Sequence, residues 1–337
     1  MLPARHALHA CVVKYIVCAS LTLSGAALAQ SLPAGCDLGE QASLPLRLTE
    51  DMRPVGEAVI NGTTVPVMLS TGAAESGVLN KKALDRLGIK VRNSTSILSA
   101  SDERNPAATD MVRDISYALL GDFSFGSARK KNALYLVEDF VDDAYGMRIG
   151  AGSLLQTDLE IALDAGHMKF FTPKGCFREH LAYWDPHAVS VPATGDPWRR
   201  DPRVVFSVHI GGKNVYALLS TATPHSYLPK AIAERLGLTP SSPGATREDP
   251  VPGHGPDQPV WKVPVSAMSI GALEVKDFDL RLMDLPYSGE ILVLGADFLH
   301  RHRVYIALSQ MQIYFSPVGT AEALKRGSVK IIPVPVD

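Results

Sequence analysis

A shift of about 150 residues superposes one half of this 337-residue chain on the other, and that duplication constrains the fold more than any other feature. Arg53 to Gly62 reads RPVGEAVING and Arg203 to Gly212 reads RVVFSVHIGG, each an alternating apolar stretch running into a small-residue turn, as a strand enters a hairpin. Next come VPVMLSTGAAES (65–76) and VYALLSTATPHS (215–226), in which Leu69-Ser70-Thr71 recurs as Leu219-Ser220-Thr221. A short helix follows each turn. Asn80 caps the first, which runs to Leu87 and stops at Gly88. Pro229 takes the first position of the second, which stops at Gly237. Further on, Met147-Arg148-Ile149-Gly150 matches Leu292-Val293-Leu294-Gly295, and Ile161-Ala162-Leu163 matches Ile306-Ala307-Leu308. Aromatic strands, Lys169-Phe170-Phe171 and Ile313-Tyr314-Phe315, close the two copies.

A composition of 46% hydrophobic and 20% charged residues with net charge −2 excludes a disordered chain, a coiled coil and a basic nucleic-acid-binding surface. One core rarely grows past about 250–300 residues, so the repeat predicts two lobes. The 24 prolines disfavour long helices and fit strands joined by turns.

The N-terminus has the pattern of an export signal. Arg5 and Lys14 precede an uncharged apolar run, Tyr15 to Ala29, that ends in Ala27-Leu28-Ala29. That run is shorter than the roughly 20 residues that span a bilayer, so the chain is expected not to span a membrane. Cleavage after Ala29 leaves 308 residues of net charge −4 and two cysteines, Cys36 and Cys176. In an oxidising compartment, periplasmic or extracellular, they are expected to form one disulfide, closing a loop of about 140 residues. A lipid anchor on Cys36 is the rival reading, disfavoured by Pro33 and by the distance from the apolar run.

Each half carries a polar, turn-rich excursion, 92–113 and 239–261. The second holds six prolines and is excluded as an inner strand. Both read as disordered loops or as mobile hairpins over a groove. A segment rich in Pro, Asp and Arg, 181–202, links the halves. Leu44–Leu48, Val189–Val191 and Val329–Ile332 are candidate edge strands where the lobes meet. The expected organisation is a signal at 1–29, lobes at 37–180 and 203–317, the linker, and a tail or interlobe strand at 318–337.

A strand ending in a small-residue turn, a short helix, an excursion and a second strand ending in Gly resembles the retropepsin unit of aspartic proteases. The segment Ile291-Leu292-Val293-Leu294-Gly295-Ala296-Asp297-Phe298-Leu299 is especially similar to bacterial retropepsin-like proteins. The resemblance covers roughly 50–173 and 203–317. It implies an all-β, bilobal acid-protease fold of closed β-barrels, two tandem units related by a pseudo-twofold axis in one chain, hence a fused pseudo-dimer acting as a monomer. The family's paired turns are Asp-Thr/Ser-Gly, whereas here they are Ser70-Thr71-Gly72 and Ser220-Thr221-Ala222. The resemblance gives Thr71 and Thr221 the task of holding the turns together. Ala222 replaces Gly and would strain its turn if φ were positive.

Aspartic proteolysis needs two carboxylates sharing one proton, and a neutral hydroxyl cannot serve alone as the base. Losing positioned acid–base groups, each worth about 10²–10⁴ in rate, predicts an impaired enzyme, a pseudoprotease that holds an extended peptide or protein strand between the lobes. The alternative is an endopeptidase using non-standard residues. Glu75 and Asp297 are its candidate substitute carboxylates, and His225 and His254 the candidate bases for a serine nucleophile. Metal binding would call on His300 and His302, for which the sequence offers no third ligand. No cofactor motif is present, and no cofactor, metal or nucleic acid is expected.

Overall fold

The computed structural model describes residues 33, 35–98, 111–140, 142, 144–194, 201–250, 259–283 and 291–318. The proposed signal, His254, Val329–Ile332 and the tips of both excursions lie outside them.

Both repeats fold as the alternation dictates. Pro54–Ile60 turns back into Thr63–Ser70, and Val205–Ile210 into Lys213–Leu219. Asn61 and Gly62, then Gly211 and Gly212, take positive φ in these two-residue turns, which suits the right-handed twist of the paired strands. The second strand of each hairpin runs parallel to a later strand, Met147–Gly150 or Leu292–Leu294. That later strand is also flanked on its other side, antiparallel, by Gly77–Asn80 or Tyr227–Leu228. Chain segments that are distant in sequence therefore meet at the two Ser-Thr turns. The molecule is nearly all-β, with a barrel-like sheet of eight strands from the first repeat and one of nine from the second. Inward positions such as Val65, Val67 and Leu69, and Val215, Ala217 and Leu219, are buried, as the period of two predicts.

The helices fall where their caps predict, within a residue. Asn80 Oδ1 accepts from the Lys82 N–H and its Nδ2 donates to the Tyr145 carbonyl, fixing Lys81–Arg86 to the 140s loop. Pro229 is the N-cap of Lys230–Arg235, one position earlier than the sequence suggests.

A third sheet of six strands joins the halves. Its centre is Asp158–Ala162 against His302–Ala307, flanked by His167–Phe171 and Gln312–Pro317. Glu40–Pro45 and Val189–Pro192 form the edges. Val189–Val191 lies where expected, whereas the candidate Leu44–Leu48 is split: Leu44 and Pro45 end one edge strand, and Arg47 and Leu48 pair with Val55 and Pro54 in the first-repeat sheet. Glu160 faces Tyr305 directly, while Leu159 faces Ile306 and Ile161 faces Val304. Because Ile161 and Ile306 are equivalent in the repeat, the pseudo-twofold axis passes between Glu160 and Tyr305.

This rung is polar and buried. Glu160 receives hydrogen bonds from Arg303 (Nε 2.8 Å, Nη2 2.5 Å) and the Tyr183 hydroxyl (2.7 Å), and lies 3.0 Å from His167 Nε2. The Arg303 guanidinium also lies over the Trp184 ring. Across the axis, Tyr305 donates to Asp158 (3.3 Å), which also accepts from the Ser309 N–H and hydroxyl. A Cys36–Cys176 disulfide secures the N-terminal edge of the sheet.

The excursions are in part strands. Arg92–Leu98 pairs antiparallel with the start of Met111–Phe125, and Thr246–Glu248 with Val260–Val265. Reading them as disordered loops therefore fails for their described parts, where backbone pairing satisfies the polar groups. Thr246–Glu248 is a sheet edge, the one place its proline-rich surroundings allow.

Candidate functional site

The two Ser-Thr turns meet at the axis. Thr71 Oγ1 donates to the Leu219 carbonyl (2.8 Å) and accepts from the Thr221 N–H (3.3 Å). Reciprocally, Thr221 Oγ1 donates to the Leu69 carbonyl (2.5 Å) and accepts from the Thr71 N–H (3.2 Å). All four groups are buried, so the bonds form away from competing water and tie the turns into one unit. Gly72 lies against the opposite turn: a Cβ there would fall 2.7 Å from both Cβ and Oγ of Ser220. Ser70 and Ser220 are both nearly buried. Ser220 Oγ shares a hydrogen bond with Thr223 Oγ1 (2.7 Å), and its N–H donates to the Leu294 carbonyl. Ala222 is not among the residues of positive φ, so the alanine sits in its turn without the strain a left-handed conformation would impose.

The glycines that end the later strands are needed for close approach. A Cβ on Gly150 would lie 2.1 Å from the Glu75 carbonyl oxygen, and one on Gly295 2.6 Å from that of Thr223. Both obstacles are backbone and cannot swing aside. Gly295→Ala is accordingly expected to destabilise the protein by about 1–3 kcal/mol in denaturant unfolding, through overpacking against the turn. An unchanged midpoint would mean that the second turn is not held where it is described.

The substitute carboxylates are committed elsewhere. Glu75 pairs with Arg148 (2.5 Å), which also reaches Glu138 (3.2 Å). Asp297 accepts from the Ser226 N–H (2.8 Å), the Ser226 hydroxyl (2.7 Å) and the Phe298 N–H (2.8 Å). Ser226 Oγ in turn accepts from the Gly295 N–H, so Asp297 braces the second turn against the later strand. Burial pushes the Asp297 carboxyl up, against the opposing pull of its Ser226 bonds and of His225 and Arg281. Its counterpart in the first repeat is Gly152, where a Cβ would press on Ser76.

Among the described residues the histidines do not assemble a nucleophile or a metal set. His225 is half-exposed, 4.0 Å from Asp297, and held below its ordinary pKa first by burial and then by the Arg281 charge. The hydrogen bond of Ser220 Oγ goes to Thr223. His300 Nε2 meets the Met52 carbonyl, while His302 stacks on Phe298 and bonds its carbonyl through Nδ1, with its pKa pushed down to about 4 by burial. Among the described residues no three His, Cys, Asp or Glu side chains gather as metal ligands.

A cleft of about 830 Å³ opens beside the second turn, lined from both halves by residues including Met68, Phe140, Arg148, Ala222, Tyr227 and Arg281. Arg281 pairs bidentately with Glu248, which anchors the second excursion at the cleft wall. Two acid–arginine pairs stand at the starts of the repeats, Asp51 with Arg53 and Asp201 with Arg203. The Asp-x-Arg spacing recurs at the repeat shift and could have been found in the sequence, since the two acids lie just outside the superposed segments.

Residues 206–301 match a family model described as "gag-polyprotein putative aspartyl protease", a stretch that contains the second Ser-Thr turn and Gly295. Among solved structures, the aspartic proteinase from Irpex lacteus aligns with 84% of this chain and 99% of its own, at 12% identity and a TM-score of 0.48. No curated protein matches the chain.

Proposed function

We propose that this chain is an exported pseudoprotease of retropepsin-like descent, two fused lobes at 37–180 and 203–317 that hold an extended peptide or protein strand in the interlobe cleft without cutting it. One observation carries the reading: the two turns are locked together by Thr71 and Thr221, yet each presents serine where acid–base chemistry needs a carboxylate. Glu75 and Asp297 are held in structural bonds, which argues against their use as a substitute dyad. The leader-like N-terminus and the disulfide are compatible with a periplasmic or secreted protein, and no described helix is long and apolar enough to cross a membrane.

The test is incubation of the protein with a peptide library from acid to neutral pH, read by mass spectrometry for both retention and cleavage. Retention of intact peptides is expected. Specific cleavage that disappears in Ser70→Ala/Ser220→Ala would overturn the proposal in favour of an active endopeptidase.

A further inference from the structure

The long hairpin of the first repeat, Met111–Phe125 against Ala128–Glu138, carries a surface that the cleft does not use. Leu119 and Leu134 face each other across the ladder and Leu136 lies one rung pair further along. Their exposures are 46%, 62% and 44%, and they are the largest group of exposed apolar side chains on adjoining strands among the described residues. Each alternates with a buried neighbour, Leu120, Tyr135 or Val137, so the outward aim is set by the strand period rather than by a frayed end.

The basic end of the same hairpin joins this face. Gly121 and Asn132 drop out of the ladder, and Asn132 takes a φ of 52°. Past that irregularity the buried parity on the first strand moves from Leu120 to Phe123, so the outward run passes from Leu119 to Asp122. Lys131 lies opposite Asp122, and Ala128–Asn132 is exposed throughout. Arg129, opposite Ser124, and Lys131, opposite Asp122, therefore lie on the leucine side of the hairpin, whereas Lys130, opposite the buried Phe123, points from the other side of this exposed end. Among the described residues Arg129 bonds the turn carbonyls of Gly126 and Ala128. Among the described residues no carboxylate forms an ion pair with Lys130 or Lys131.

The repeat supplies its own control. The corresponding strands of the second half, Val260–Val265 and Phe278–Leu282, bear no exposed large apolar residue. The fold thus does not require the leucines, and one copy has them.

We infer that this hairpin is a docking surface for an anionic phospholipid bilayer, with the leucines dipping into the interface and Arg129 and Lys131 against the headgroups. Charge complementarity favours that occupant. Three leucines make too small a patch for a stable protein interface, which needs about 1,000 Å² or more, whereas shallow insertion flanked by basic residues suffices at a membrane surface. The contact is peripheral and independent of what the cleft binds.

The experiment is co-sedimentation of the full chain with vesicles of equal phosphatidylglycerol and phosphatidylcholine, and with phosphatidylcholine alone. The apolar N-terminal run is common to parent and variants, so the difference between them is the readout. Preference for the anionic vesicles is expected. Arg129→Gln/Lys131→Gln should weaken that partition roughly twenty-five-fold, at about fivefold per basic residue, and Lys130→Gln, on the other side, much less. Leu119→Thr/Leu134→Thr/Leu136→Thr, which keeps strand-forming residues, should weaken it at unchanged charge. Equal partition of parent and double charge variant would overturn the inference, as would no preference for anionic lipid. Concentration-dependent self-association in sedimentation velocity that the leucine variant abolishes would also overturn it, assigning the face to a second copy of the chain.

Discussion

Ser70→Asp/Ser220→Asp is expected to cleave peptides at acid pH where the parent chain does not. The threonine bonds already set the two turns side by side, and the close approach of Ser220 to Gly72 puts side chains of the paired turns within reach of each other. Two carboxylates so placed cannot both ionise freely. One proton is shared, and the pair divides into a base that activates water and an acid that protonates the carbonyl. Each positioned transfer contributes about 10²–10⁴ in rate, so either single variant should remain close to inactive while the double variant gains measurable turnover. The dyad also changes the stability profile. Carboxyls whose folded pKa is raised by burial and mutual repulsion bind protons more tightly folded than unfolded. Their adverse effect is absent below the unfolded carboxyl pKa and grows as pH rises through the folded value. The double variant should thus melt lower than the parent at neutral pH and more nearly alike at acid pH. If it folds and cuts nothing, the cleft lacks more than its acids.

Glu160→Ala should cost about 3–5 kcal/mol of stability, the penalty typical of removing one partner of a buried ion pair. The Glu160 side chain is wholly buried and binds Arg303, Tyr183 and His167, so its loss strands the Arg303 guanidinium and the Tyr183 hydroxyl at once. Burial alone would push the Glu160 carboxyl up, but the His167 bond, the Arg303 charge and the Tyr183 bond together hold it below the ordinary glutamate value. A carboxyl depressed in the folded state gives its stabilisation fully above the unfolded pKa, near 4.3, and loses it as pH falls through the folded value. The parent should therefore lose stability faster than the variant on acidification below about pH 4.5. Parallel profiles for the two proteins would show that this pair contributes no pH dependence. Chemical denaturation over a pH series measures both effects.

The features legible in the sequence were those carried by local pattern repeated at a distance. The duplicated Leu-Ser-Thr turns, the Gly150 and Gly295 that follow them, and Asn80 as a helix cap each have a short-range signature, and their recurrence supplied the pairing between halves. The cysteine pair followed from there being two. The bracing of the second turn by Asp297 was missed, because nothing in an isolated Gly-Ala-Asp says which hydroxyl the acid will meet; the close return of the chain brings Ser226 to it. The Glu160–Arg303 pair was invisible for a stronger reason. Its partners belong to different halves, and only the register of the central strands juxtaposes them. The paired stems of the excursions are obscured by their polar composition; the proline count excludes the second as an inner strand, which holds for Thr246–Glu248 at the sheet edge but fails at Trp261, which pairs with both Arg247 and Leu282.

The same central rung explains why two copies of a unit that could pair with themselves are found pairing with each other. Equivalent positions across the axis are Asp158 with Arg303, and Glu160 with Tyr305. Were two first halves to associate by this symmetry, Glu160 would meet Glu160 and the acid of Asp158 would take the place of Arg303, three negative contacts in a dry interface. Two second halves would set Arg303 against Tyr305 with no acid between them. Only the mixed arrangement matches acid to base. Duplication freed the two sides of the axis to diverge, and this divergence is a lock and key that makes a lone half a poor partner for its own kind.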